Sequence, residues 1–87
     1  MVESKAINIL AKYKSIDILI ALKESPLSYG RVQDMVGNPA TTQRRLAELV
    51  SIGLVKRKVQ QDRRRSVIYQ TTPLGLECIE FVKKLEK

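Results

Sequence analysis

The residues best equipped for chemistry in this chain are cations, not acids, bases or nucleophiles. Arg44 and Arg45 stand together, Arg63-Arg64-Arg65 follow Asp62, and Lys56, Arg57 and Lys58 lie between the two groups. A guanidinium is a planar fork of donors that fits two acceptors on a guanine edge or the oxygens of a phosphate. Which of the two Arg44 meets is not readable from its neighbours. Thr41 and Gln43, just ahead of the pair, are polar groups of a size that reaches base edges from the first turns of a helix. Three consecutive arginines suit a phosphate backbone or a narrow minor groove, where negative potential concentrates. A solvated edge turn that discourages strand pairing is the plainer alternative, and the run exceeds that need. Between Arg44 and Arg65 lie eight of the sixteen basic residues, against only Glu48 and Asp62. The field is one-sided and points to double-stranded DNA.

Composition narrows the classes further. A formal charge of +7 and a pI near 9.9 favour polyanions without separating DNA from RNA or an acidic membrane. There is no histidine, no glycine-rich phosphate loop and no plausibly placed carboxylate pair, so no enzyme is expected. A single cysteine excludes a disulfide framework within the chain and, with no histidine, a one-subunit zinc site. No metal or other cofactor is expected. The longest apolar segment, Ile16 to Leu22, is too short to cross a membrane, contains Asp17 and is not a signal peptide. A soluble, cytoplasmic protein is the expectation, and 87 residues make a single domain with a modest core.

Positioning the cations requires a particular series of elements. Val2, Ala6, Ile9, Leu10, Tyr13, Ile16 and Ile20 recur near the helical period, and Ser15 is a candidate cap that divides this stretch in two. Pro26 ends it, Leu27 is briefly extended, and Ser28 caps a short helix to Val36 with Val32, Met35 and Val36 inward. Gly37-Asn38-Pro39 is the sharpest local signal: a left-handed stop, a cap, and a proline at the first helical position. Helices joined so closely cross at a large angle, as in a helix-turn-helix. On the second of them, about 39–52, Thr42, Leu46, Leu49 and Val50 share one side, while Thr41, Gln43, Arg44, Arg45 and Glu48 take the rest. Gly53 closes it. Leu54–Gln60 and Ser66–Thr71 read as strands joined by the arginine turn. Lys56 and Lys58 alternate with Arg57, so only one subset faces any given surface. Thr72-Pro73 then opens a last helix whose stripe is Leu74, Cys78, Phe81, Val82 and Leu85. The order is helix, helix, helix, hairpin, helix.

Three segments carry a family resemblance: Ser28-Tyr29-Gly30-Arg31-Val32-Gln33-Asp34-Met35-Val36-Gly37, then Ala40 through Val55 ending in Ile-Gly-Leu-Val, then Val67-Ile68-Tyr69-Gln70-Thr71-Thr72-Pro73-Leu74-Gly75. Together they resemble winged helix-turn-helix transcription regulators of bacteria and archaea, in the manner of the MarR, PadR and HxlR branches, over roughly residues 16 to 80. The resemblance implies a mainly α fold with a small β-hairpin, a recognition helix in the major groove, and a basic wing, about 55–71, on the adjacent backbone or minor groove. It also implies a homodimer built from the outer helices, about 1–14 and 73–87. The chain is shorter than most MarR-like proteins, and no effector is indicated.

The DNA-facing set expected is therefore Ser28, Tyr29, Thr41, Gln43, Arg44, Arg45, Lys56, Lys58, Arg63, Arg64 and Arg65. For the dimer it is Ile9, Leu10, Tyr13, Cys78, Phe81, Val82 and Leu85. Tyr29 either packs at its helix start or offers its hydroxyl to phosphate. Cys78 reads as a small buried hydrophobe, with an intersubunit disulfide or a redox role as alternatives. A winged-helix module that docks protein or RNA is the competing function, and an apolar exposed face on the first and last helices would favour it.

Overall fold

The computed structural model describes residues 4–12, 14–63 and 66–85, with side chains from Ile7 onward. Val2, the Ala6 side chain, Tyr13, Arg64 and Arg65 thus lie outside the described residues. The apolar stretch at the start is two helices, α1 (Ser4–Leu10) and α2 (Ser15–Glu24). Lys14 makes the corner with a left-handed φ of 68°, and the Ser15 N–H closes it on the Lys12 carbonyl at 3.2 Å. Ser15 is the first residue of α2 and not its cap: Lys14 holds the cap position, and the buried Ser15 hydroxyl has no partner among the described residues.

α2 is the hub. Its Ile18, Leu19 and Leu22 are fully buried, and it packs against α1, β3 (Val67–Thr71), α5 (Pro73–Leu85) and α3 (Tyr29–Val36). Burying each such side chain stabilises by about 1.5–3 kcal/mol. The Ser28 Oγ caps α3 by accepting from the Arg31 N–H, and Gly37, at φ 90°, stops it. α4 (Pro39–Ser51) begins at once, with Asn38 Oδ1 accepting from the Thr41 N–H at 3.0 Å. It ends as a Schellman motif. The Gly53 N–H reaches the Val50 carbonyl and the Leu54 N–H the Leu49 carbonyl, both at 3.0 Å, with Gly53 left-handed and Leu49 and Leu54 buried together.

The sheet is larger than the hairpin expected. β2 (Val55–Val59) pairs antiparallel with β3, and β1 (Leu27–Ser28) pairs on the other side of β3, giving the order β1-β3-β2. Leu27 and Arg57 both lie opposite Tyr69. The Thr72 hydroxyl caps α5 by accepting from the Gly75 N–H at 3.1 Å. Gly75 is obligatory for the fit: a Cβ there would lie 2.3 Å from the Leu54 carbonyl oxygen. The expected stripe of α5 is split. Gly75, Cys78 and Ile79 are its buried residues, whereas Leu74, Phe81 and Leu85 are exposed and Val82 half-buried.

Candidate nucleic-acid interface

α4 is pinned from below, and this decides which of its residues remain available. Thr42 is fully buried with its hydroxyl donating to the Asn38 carbonyl at 2.9 Å, and Leu46 and Leu49 are buried beside it. On a helix the opposite ridge must then carry Ala40, Gln43, Arg44, Ala47 and Ser51, all of them exposed. Thr41 is half-buried at the edge of that ridge.

Arg45 departs from expectation. Its side chain is only 12% exposed and its Nη1 donates to Glu48 Oε1 at 2.9 Å. Sequence phase alone put it with Arg44, but the structure turns it along the flank of α4 into an ion pair. Lys12, from the end of the α1 segment, completes the cluster with Nζ 2.6 Å from Glu48 Oε2. The Lys12 ammonium, bonded to it, and then the Arg45 guanidinium hold the Glu48 carboxyl below the usual carboxylate range.

Tyr29 resolves toward packing. Its hydroxyl donates to the Pro39 carbonyl at 3.3 Å, and its ring helps line an apolar groove of about 340 Å³ between α4 and the sheet, with Leu46, Val50 and Tyr69. Ser28 is engaged as the α3 cap. Arg57 borders the same groove as Gln43 and Ala47. Since strand residues alternate, Lys56 and Lys58 face the other way, opposite Gln70 and Ile68. The subset of β2 that joins α4 is therefore Arg57, which the sequence reading left out, and not Lys56 and Lys58. Burial of Val55, two residues before, sets that phase. Sequence offered no signal for Lys12.

The wing loop is closed by the Gln60 N–H on the Ser66 carbonyl at 2.7 Å and by Asp62, whose carboxylate accepts the Ser66 N–H and hydroxyl at 3.1 Å each. Arg63 is exposed on that loop, and Arg64 and Arg65 lie outside the described residues. Among the described residues Arg44, Arg57 and Arg63 form no ion pair.

The expected dimer residues divide similarly. Ile9 and Cys78 belong to the chain's own core, at 6% and 1% exposed, and burial raises the Cys78 thiol above its ordinary pKa. A buried neutral thiol is a poor nucleophile. Leu10 is buried too, but it borders a second apolar groove, about 190 Å³, with Ile7, Ile16, Phe81, Val82 and Leu85. No described helix is long and apolar enough to cross a membrane.

No family model matches the sequence, and neither does any of the curated proteins. Solved structures do resemble it. The reduced form of the transcriptional regulator YodB from B. subtilis superposes with a TM-score of 0.85 at 22% identity, over 99% of this chain and 89% of that one. A transcriptional regulator homologue protein from Pyrococcus horikoshii OT3 gives 0.81 at 22% identity, over 91% of this chain and 82% of that one. MarR gives 0.79 at 20% identity, covering 94% of this chain and 57% of MarR. The fold is the winged helix-turn-helix.

Proposed function

We propose that this chain is a sequence-specific regulator of transcription that binds double-stranded DNA in the cytoplasm, with α4 in the major groove and the β2–β3 wing on the adjacent backbone or minor groove. The observation that carries the reading is a set of exposed arginines on α4, β2 and the wing that form no ion pair among the described residues. Arg44 on the exposed ridge of α4, Arg57 on β2 bordering the same groove as Gln43, and Arg63 on the wing loop present guanidinium groups that no carboxylate among the described residues pairs. Buried Thr42, Leu46 and Leu49 brace α4 beneath Arg44, so that guanidinium is held on a rigid element. Gln43 joins Arg44 as a reader of base edges, and Arg57 and Arg63 meet phosphates. The fold's likeness to solved transcriptional regulators, YodB among them, supports the same assignment.

The second groove supports a homodimer. Ile7, Phe81 and Leu85 are 46%, 40% and 68% exposed around an apolar depression between α1 and α5, on elements that carry no part of the DNA face. A second copy covering it across a two-fold axis would set two α4 helices about 34 Å apart, one turn of duplex. The same apolar face favours the second reading, a module that docks another protein. Fluorescence anisotropy on labelled duplex, with sedimentation of free protein and complex, separates them. The proposed function requires a dimer whose duplex affinity falls steeply with salt. A monomer indifferent to duplex at low salt would leave the docking reading.

A further inference from the structure

Glu48 is an acidic residue on the flank of a helix proposed to meet a polyanion, and it holds two cations away from that polyanion. Its carboxylate takes Lys12 on one oxygen at 2.6 Å and Arg45 on the other at 2.9 Å. It lies one turn beyond Arg44, beside the exposed ridge of α4, so whatever reaches Arg44 passes close to this cluster. From these positions we propose that Glu48 tempers DNA affinity: it withholds Lys12 and Arg45 from duplex phosphates and so weakens binding to duplex of every sequence, non-cognate DNA included. The inference rests on the DNA-binding reading.

The argument is one of charge and geometry. Phosphates occur in every sequence, so a cation that reaches them raises affinity for all duplexes alike, whereas Gln43 and Arg44 add affinity only where the bases match. With its partners occupied by Glu48, the α4 flank contributes a cluster of two positive charges and one negative. Replacing the carboxylate by an amide keeps the size and removes the competitor. Each cation released to a phosphate steepens the slope of log K against log salt by about 0.9, which corresponds to about eightfold tighter binding at 0.1 M salt relative to 1 M. The gain falls on random DNA and cognate DNA together. Absolute affinity for non-cognate DNA therefore rises while the ratio between the two is kept. Lys12 belongs to the α1–α2 corner, so the same ion pair also fixes that corner against α4.

The test compares wild type with Glu48→Gln on two labelled duplexes, one of random sequence and one selected from a random pool, by anisotropy across a salt series. The expected result is a slope steeper by about 1 to 2 and tighter binding on both duplexes, with the ratio of selected to random affinity little changed. Adding Arg45→Met to Glu48→Gln should return part of the slope. Glu80→Gln is the control, since it also releases lysines, Lys23 of α2 and Lys83 of α5, and its slope should match wild type. If Glu48→Gln melts below the assay temperature, Glu48→Met serves in its place with the same expectation. An unchanged or shallower slope in the Glu48 variant, or an equal rise in Glu80→Gln, overturns this inference while leaving the proposed function intact. Wild type that binds neither duplex overturns both.

Discussion

Truncating Leu46 and Leu49 to alanine, one at a time, tests how α4 is held. Both are buried, at 2% and 0% exposed, so burial alone assigns them equal cost. Their surroundings differ. Leu46 borders the open groove of about 340 Å³ beside the sheet, and Leu49 does not. A core Leu→Ala change costs the lost transfer free energy plus a term for the void left behind, about 2 to 5 kcal/mol in sum. At Leu46 the void merges with a groove that water already enters, so the second term is small and the loss should be about 2 to 3 kcal/mol. At Leu49 the void is sealed and the loss should be about 4 to 5 kcal/mol. At about 4 to 8 °C per kcal/mol for a domain of this size, a gap of about 2 kcal/mol puts the Leu49 variant about 8 to 16 °C below the Leu46 variant. Thermal melts by far-UV circular dichroism, at one fixed protomer concentration because association shifts Tm, supply the comparison. Equal losses, or a larger loss at Leu46, would refute the packing argument. An undiminished melting temperature at Leu46 would mean that the buried face of α4 has been assigned wrongly.

Three further outcomes follow from particular contacts. Ser15→Ala should stabilise by about 1 kcal/mol, raising Tm by several degrees, because it removes a buried hydroxyl with no partner among the described residues; a lower Tm would reveal a bond that the hydroxyl makes. Arg57→Ala should make the salt slope of duplex binding shallower by about 0.9, and Lys56→Ala by much less; the reverse order would put the other face of β2 on the DNA. Glu48 is held below its unfolded pKa, so its ion pairs contribute stability that is fully present above the unfolded value and lost as pH falls through the folded one. Acid titration of Tm should therefore show a smaller fall between neutral and acid pH in Glu48→Gln than in wild type. An identical fall would mean that the pair with Lys12 contributes nothing to folding.

What the sequence made legible was local chemistry. Gly37-Asn38-Pro39, Ser28, Gly53 and Thr72 each act on groups within a few residues of themselves, and the structure finds each doing what its type suggests. Position in space was a different matter. The Lys12–Glu48 pair spans 36 residues, and no periodicity connects them. Arg45 looked as available as Arg44 because helical phase gives a direction but not the carboxylate waiting there. On β2 the alternation was plain, yet its phase needed the burial of Val55, a tertiary fact. The stripe on α5 split for the same reason: Ile79 and Cys78 meet the core, and Phe81 turns toward the groove beside α1. Ser28 was a sound cap but pairs with Ile68 as well, which made a third strand where sequence suggested one extended residue.

The most direct measurement is selection of bound sequences from a random duplex pool at physiological salt, followed by sequencing of what the full chain retains. A two-fold pair of α4 helices on DNA should enrich a near-palindrome whose half-sites are about one helical turn apart, with preference lost at individual positions in Arg44→Ala or Gln43→Ala. A retained pool with no enriched motif, or an enriched single site with no inverted repeat alongside a monomeric complex in sedimentation, would contradict it.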